Sequence, residues 1–126
     1  MRVYKTKTFA RFQRREGLTD AALCAAVVDA GAGLIDADLG RGLIKQRVAR
    51  AGQGKRGGHR TVIAYRKRDR AVFLFGFAKN AKADLKPDEF LDLADIGGDW
   101  LKADAGEIRA ALAARELMEV DCGEEN

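Results

Sequence analysis

Apolar positions along this chain switch between two spacings, and each switch marks a change of element. Arg2 to Lys7 is short and sets Val3, Tyr4 and Thr6 among bases, which predicts an opening strand. From about Thr8 the spacing lengthens: Phe9 and Phe12 share one face of a helix that Gly17 stops. Thr19 has the chemistry of an N-cap for the run DAALCAAVVDA, in which Leu23, Ala26, Val27 and Ala30 fall at helical spacing and Gly31 provides the exit. These two segments predict an N-terminal helical pair.

Beyond a Gly-rich link to Gly42 the spacing shortens to two. Leu43 to Arg50 puts Ile44 and Val48 on one side and Lys45, Arg47 and Ala49 on the other, a half-buried strand with a basic outer face. HRTVIAYR (59 to 66) and AVFLFGFA (71 to 78) are rich in β-branched and aromatic residues, and Lys67 to Arg70 has the length of a hairpin connector. Three consecutive antiparallel strands follow, the last apolar on both faces, as a central strand covered on each side would be. Pro87 suits N1 of a helix running to about Lys102, although Gly97 and Gly98 interrupt its pattern. Asp104 to Glu107 resembles a capping box opening another helix with Ile108, Ala111 and Leu112, and Leu117 to Val120 reads as a closing strand. The predicted fold class is α+β: an antiparallel central sheet with the helical pair on one face, and C-terminal helices.

A length of 126 residues suits one domain, 1–126, whose last part from about 104 is an acidic extension. No apolar run of membrane-spanning length opens the chain and no secretory h-region is visible, so a soluble, cytoplasmic protein without membrane contact is expected. Cys24 and Cys122 have no metal spacing and read as two reduced structural thiols; no metal site or cofactor is expected. The net charge of +4 conceals a strong asymmetry. Residues 41–70 carry eleven Lys or Arg against the single acid Asp69, whereas residues 71–126 carry six against thirteen. A basic middle suits a polyanionic partner such as nucleic acid.

Inside that basic stretch, GQGKRGG (52 to 58) has the spacing of a dinucleotide-binding loop. Such glycines must follow a strand and open a helix whose N-terminus receives the pyrophosphate, but HRTVIAY is a strand. A phosphate-binding P-loop fails as well, because Gly54-Lys55 is followed by Arg56 and position 49 is Ala. The glycines instead suit a turn that presents Lys55 and Arg56 outward.

Three segments, GLIKQRVARAGQGKRGGHRTVIAYR (42 to 66), VFLFGFAKN (72 to 80) and LADIGGDWL (93 to 101), resemble toxins of the RelE/ParE superfamily of type II toxin-antitoxin systems, in its HigB-like branch. The resemblance implies a small RelE-like fold and a metal-independent endoribonuclease that cuts mRNA in the decoding site of the 30S subunit. It also implies silencing by a HigA-like helix-turn-helix antitoxin. Lys45 and Arg47 match the paired basic positions of the family's second strand, Arg60 matches the arginine of a Gly-aromatic-Arg motif (here Gly58-His59-Arg60), and Lys79 matches a basic position after FGFA. His59 replaces the usual tyrosine, and no tyrosine stands near Leu85 or Lys86, so no catalytic tyrosine carries over.

Chemically, Arg60 suits a grip on the scissile phosphate, because guanidinium matches phosphate bidentately and stays charged. Lys45, Arg47 and Lys79 would add transition-state charge, while Arg50, Lys55 and Arg56 would steer RNA or the ribosome through backbone phosphates. Histidine is a common general base, yet alternation turns His59 away from whichever face Arg60 takes, which favours a packing role. Phe73, Phe75, Phe77 and Trp100 read as core residues. Two other classes fit the residues: a non-catalytic ParE-like gyrase inhibitor and a plain RNA-binding module.

Overall fold

The computed structural model describes residues 1–50, 58–78 and 85–123. The elements run β1 (Arg2–Thr6), α1 (Lys7–Glu16), α2 (Asp20–Gly31), β2 (Ala37–Gly40), β3 (Leu43–Val48), β4 (His59–Arg66), β5 (Arg70–Ala78), α3 (Pro87–Lys102), α4 (Ala105–Ala113) and β6 (Leu117–Glu119). The strands form one sheet in the order β2-β3-β4-β5-β1-β6. Its pairs are antiparallel except β1 with β5, which run parallel from Arg2↔Arg70 to Lys5↔Phe73. The α+β class expected from the spacing is the class found. Strand β2 was not expected; its four residues, ADLG, lie at the sheet edge and carry little apolar signal.

Helices α1 and α2 cover one face, where Phe9, Phe12, Leu23 and Val27 pack with Ile44, Val48, Ile63 and Phe73. Helices α3 and α4 cover the other, where Ala94, Ile108 and Ala111 pack with Leu43, Val62, Ala64, Val72 and Leu74. This double cover explains why β5 is apolar on both sides. Helix α3 runs unbroken through both glycines because the sheet comes very close at Gly97. A Cβ there would press on Leu43, Ala64 and Leu74 side chains at 2.9 to 3.1 Å. Glycine thus costs some helix propensity and permits close helix-on-sheet packing. The Asp104–Glu107 capping box forms in both directions, each bond at 2.8 Å. The acidic segment closes the core: Ile108 and Leu117 are buried and β6 pairs with β1.

The two cysteines correct the sequence reading: Cys24 and Cys122 form a disulfide rather than two free thiols. Val120, buried against the α2 side, hydrogen-bonds to Val3 O and brings the segment after β6 beneath Cys24. The two Cα atoms are 5.5 Å apart, within bonding reach, but a separation of 98 residues left no local trace of it in the sequence.

At the junction of β1, α1 and α2, Lys5 Nζ donates to Gln13 Oε1 (2.7 Å) and Asp20 Oδ1 (3.0 Å), and Gln13 Nε2 donates to the same Asp20 oxygen (2.8 Å). Burial pushes the Asp20 carboxyl up, but the bonds from Gln13 and Lys5 outweigh it, and the net position is below the ordinary 3.8. A carboxyl lowered by folding stabilises the protein above its unfolded value, and that stability is lost as pH falls through the folded value. Asp20→Asn is therefore expected to lower the urea midpoint at pH 6, with the gap to wild type narrowing toward pH 2. A gap that stays constant with pH would contradict the network.

Candidate nucleic-acid interface

Strand β3 is the first half of the site, and its alternation is enforced from behind. Gln46 is 2% exposed. Its side chain donates to Ala26 O (2.9 Å) and Leu34 O (3.2 Å) and accepts from Asp36 N (2.8 Å). With Gln46 anchored toward α2, its neighbours Lys45 and Arg47 must face the other way. Lys45 is half-buried and Arg47 exposed. Sequence reasoning passed over Gln46, although a lone amide between two bases in an alternating strand is a readable sign of a buried tether.

Strand β4 supplies the second half. Arg47 lies directly opposite Arg60, Lys45 opposite Val62, and Val48 opposite His59. Lys45, Arg47 and Arg60 therefore share the α3 side of the sheet. Side chains directly opposite on antiparallel strands stand about 5 Å apart, and like charges there are destabilising. Among the described residues neither the Arg47 nor the Arg60 guanidinium has an ion-pair partner. Other bases of the same stretch have structural work: Arg70 donates to the Trp100 and Ala103 carbonyls at the end of α3 (2.6 and 2.9 Å), and Arg66 pairs with Asp69. Two adjacent unpaired guanidinium groups form a ready seat for a phosphate.

His59 takes the opposite face. It is 2% exposed, its Nε2 lies 2.8 Å from Glu16 Oε1, and its ring meets Phe12 edge-on at 5.5 Å. Its Nδ1 has no hydrogen-bond partner among the described residues. The hydrogen bond with His59 holds the Glu16 carboxyl below its ordinary value against the opposing effect of burial, and Arg15 adds to the lowering. Arg50 approaches the same carboxylate at 4.0 Å. The histidine thus belongs to the packing between α1 and β4, and cannot reach the Arg47–Arg60 side. Lys79, Lys55 and Arg56, and the turn-forming role of GQGKRG, lie outside the described residues.

The β5 aromatics divide between the faces because the β4–β5 register shifts. Phe73 pairs with Ile63, Phe75 with Val62 and Phe77 with Arg60, so the extra residue, Leu74, reverses the alternation. All three pack in the core, as expected, but on different faces: Phe73 lies in the α1/α2 core, whereas Phe75 packs against the α3/α4 core and buried Phe77 lies on the same side as Arg60, with the Phe75 and Phe77 ring centroids 5.9 Å apart. Phe77 is buried and Phe75 half-buried. The β1–β5 pairing stops at Lys5↔Phe73; alongside the rest of β5 lies α1, and Thr8, Arg11, Phe12, Arg15, Phe75 and Gly76 enclose a cleft of about 160 Å³.

Gly76 is required at this cleft, because a Cβ there would overlap the Phe12 ring. Gly76→Ala is expected to destabilise the protein by about 1 to 3 kcal/mol, the usual cost of overpacking. Urea unfolding reads this directly, and an unchanged midpoint would show that Phe12 does not sit over the strand.

The family model described as RelE toxin of RelE / RelB toxin-antitoxin system matches residues 1–120. No curated protein matches the chain.

Proposed function

We propose that this chain, which belongs to the RelE toxin family and is a toxin of a toxin-antitoxin system, is an endoribonuclease that cuts mRNA on the ribosome. The observation that carries the reading is the Arg47–Arg60 juxtaposition, with no ion-pair partner for either guanidinium among the described residues, and with Lys45 on the same face. In the proposed reaction the RNA 2′-oxygen attacks the adjacent phosphorus in line. The new O2′–P bond forms as P–O5′ breaks, leaving a 2′,3′-cyclic phosphate and a 5′-hydroxyl, with one proton lost from O2′ and one gained by O5′. Arg60 grips the non-bridging oxygens, and Arg47 and Lys45 add positive charge where the phosphorane gains negative charge. Lys79 is assigned the same role on its sequence match alone.

Binding of RNA beyond the reacting phosphate is assigned to Arg50, Lys55 and Arg56, which would follow the backbone. The partner that silences the toxin is proposed to be a HigA-like helix-turn-helix protein, and the place of action the cytoplasm, where ribosomes are. Residues 1–126 are treated as one toxin domain. A translating extract separates this reading from gyrase inhibition and simple RNA binding. Truncated mRNA with normally supercoiled plasmid is expected; intact mRNA with relaxed plasmid, or RNA bound and uncut, would overturn it.

A further inference from the structure

We propose that the cleft between α1 and β5 is a second RNA subsite, holding the nucleotide next to the scissile one; the assignment rests on the endoribonuclease reading above. Register fixes its place relative to the reacting phosphate. Arg47, Arg60 and Phe77 lie side by side across β3, β4 and β5. Beyond the last β1–β5 pair, Lys5↔Phe73, α1 flanks β5, and the cleft that Phe75, Gly76 and α1 line lies at that edge, one strand beyond Arg60.

The lining has the chemistry that a nucleotide needs. Phe75 is half-buried, offering part of a ring on which a base can stack without sequence preference. Arg11 and Arg15, both exposed, stand four residues apart on one face of α1, and Thr8 adds a hydroxyl at the cleft wall. The Arg15 guanidinium is held over the Phe12 ring at 5.6 Å, and its contact to Glu16 is long at 3.4 Å, which leaves it able to meet a phosphate. Among the described residues Arg11 has no acidic partner. At about 160 Å³ the cleft has room for no more than one base or one sugar-phosphate unit, since pockets for drug-sized ligands start at roughly 300 Å³. Bases on the two sides of β5 thus mark a path across the strands, from Arg47 through Arg60 and the two phenylalanines to α1.

Two measurements on ribosomes programmed with a defined mRNA test the subsite. With Arg11 and Arg15 both changed to Ala, KM for the mRNA should rise about tenfold or more while kcat stays within about twofold. A Phe75→Leu variant, which keeps an apolar side chain, should raise KM in the same direction. In the second measurement, 4-thiouridine is placed on either side of the cut and the slowed Arg60→Ala protein is crosslinked before cleavage proceeds. One of the two positions should crosslink to residues 8–15 or 75–76. An unchanged KM, crosslinks confined to other segments, or an equal loss of affinity for ribosomes lacking mRNA would overturn the subsite, the last by assigning the arginines to ribosomal RNA. Weaker antitoxin binding with unchanged KM would also overturn it. If wild-type protein does not cut the mRNA, the catalytic reading itself has failed, and this is seen before any variant is compared.

Discussion

Arg60→Ala is expected to slow mRNA cleavage by about 10² to 10³ or more, the scale on which removal of one oriented transition-state donor acts. Its stability should be unchanged or slightly higher than wild type. The second half of this expectation separates a functional arginine from a structural one. Arg60 faces Arg47 across the β3–β4 ladder; Asp36 Oδ2 accepts from the Arg47 backbone N–H at 2.6 Å, but no described acid forms an ion pair with either guanidinium. Removing one charge therefore relieves a repulsion and breaks no ion pair. Arg70→Ala should behave in the opposite way, because Arg70 satisfies two carbonyls at the C-terminus of α3. Cleavage rates on programmed ribosomes, read beside thermal melting of both variants, check the contrast. Full activity in Arg60→Ala, or its unfolding, would remove Arg60 from the proposed role.

Reduction of Cys24–Cys122 is expected to have the largest effect on stability. The bond closes a loop spanning 98 residues from α2 to the segment after β6. Loss of such a link costs about 2 to 5 kcal/mol by restoring freedom to the unfolded chain. In a chain of this size that corresponds to a fall in Tm of roughly 10 to 20 °C. Cys24→Ser should melt with the reduced protein and gain nothing from oxidant. Oxidised and reduced proteins melting together would show that the bond contributes no stability. Because the disulfide joins α2 to the far edge of the sheet, away from Arg47 and Arg60, cleavage at 25 °C should be little changed by reduction.

The basic face was legible in the sequence because its signal is local. Alternation along LIKQRV places Lys45 and Arg47 together, and the same rule separates His59 from Arg60. Both the grouping and the separation hold in the sheet. The strand after the glycines, which told against a nucleotide cofactor, is β4. What stayed hidden depends on contacts between distant segments. The parallel β1–β5 pair joins residues some 68 positions apart, from Arg2 to Arg70, and no hairpin signal announces it. The register shift at Leu74 turns Phe75 and Phe77 toward the site, although strict alternation would leave them beside Phe73. Gly97 looked like a helix breaker until the sheet beneath it supplied the reason for a missing Cβ. The arginines of α1 were readable, since Arg11 and Arg15 share one helical face, but a charge count centred on residues 41–70 passed them by.

The central claim is that the Arg47–Arg60 face cuts mRNA by attack of its own 2′-hydroxyl, and only on the ribosome. The most direct measurement uses two mRNAs, one all-ribose and one with a single 2′-deoxy nucleotide at the mapped cut, each tested free and on purified ribosomes. Cleavage is predicted for the all-ribose mRNA on ribosomes alone, with a 5′-hydroxyl on the downstream fragment. Cutting that tolerates the 2′-deoxy substitution, leaves a 5′-phosphate, or proceeds equally on free mRNA would contradict it.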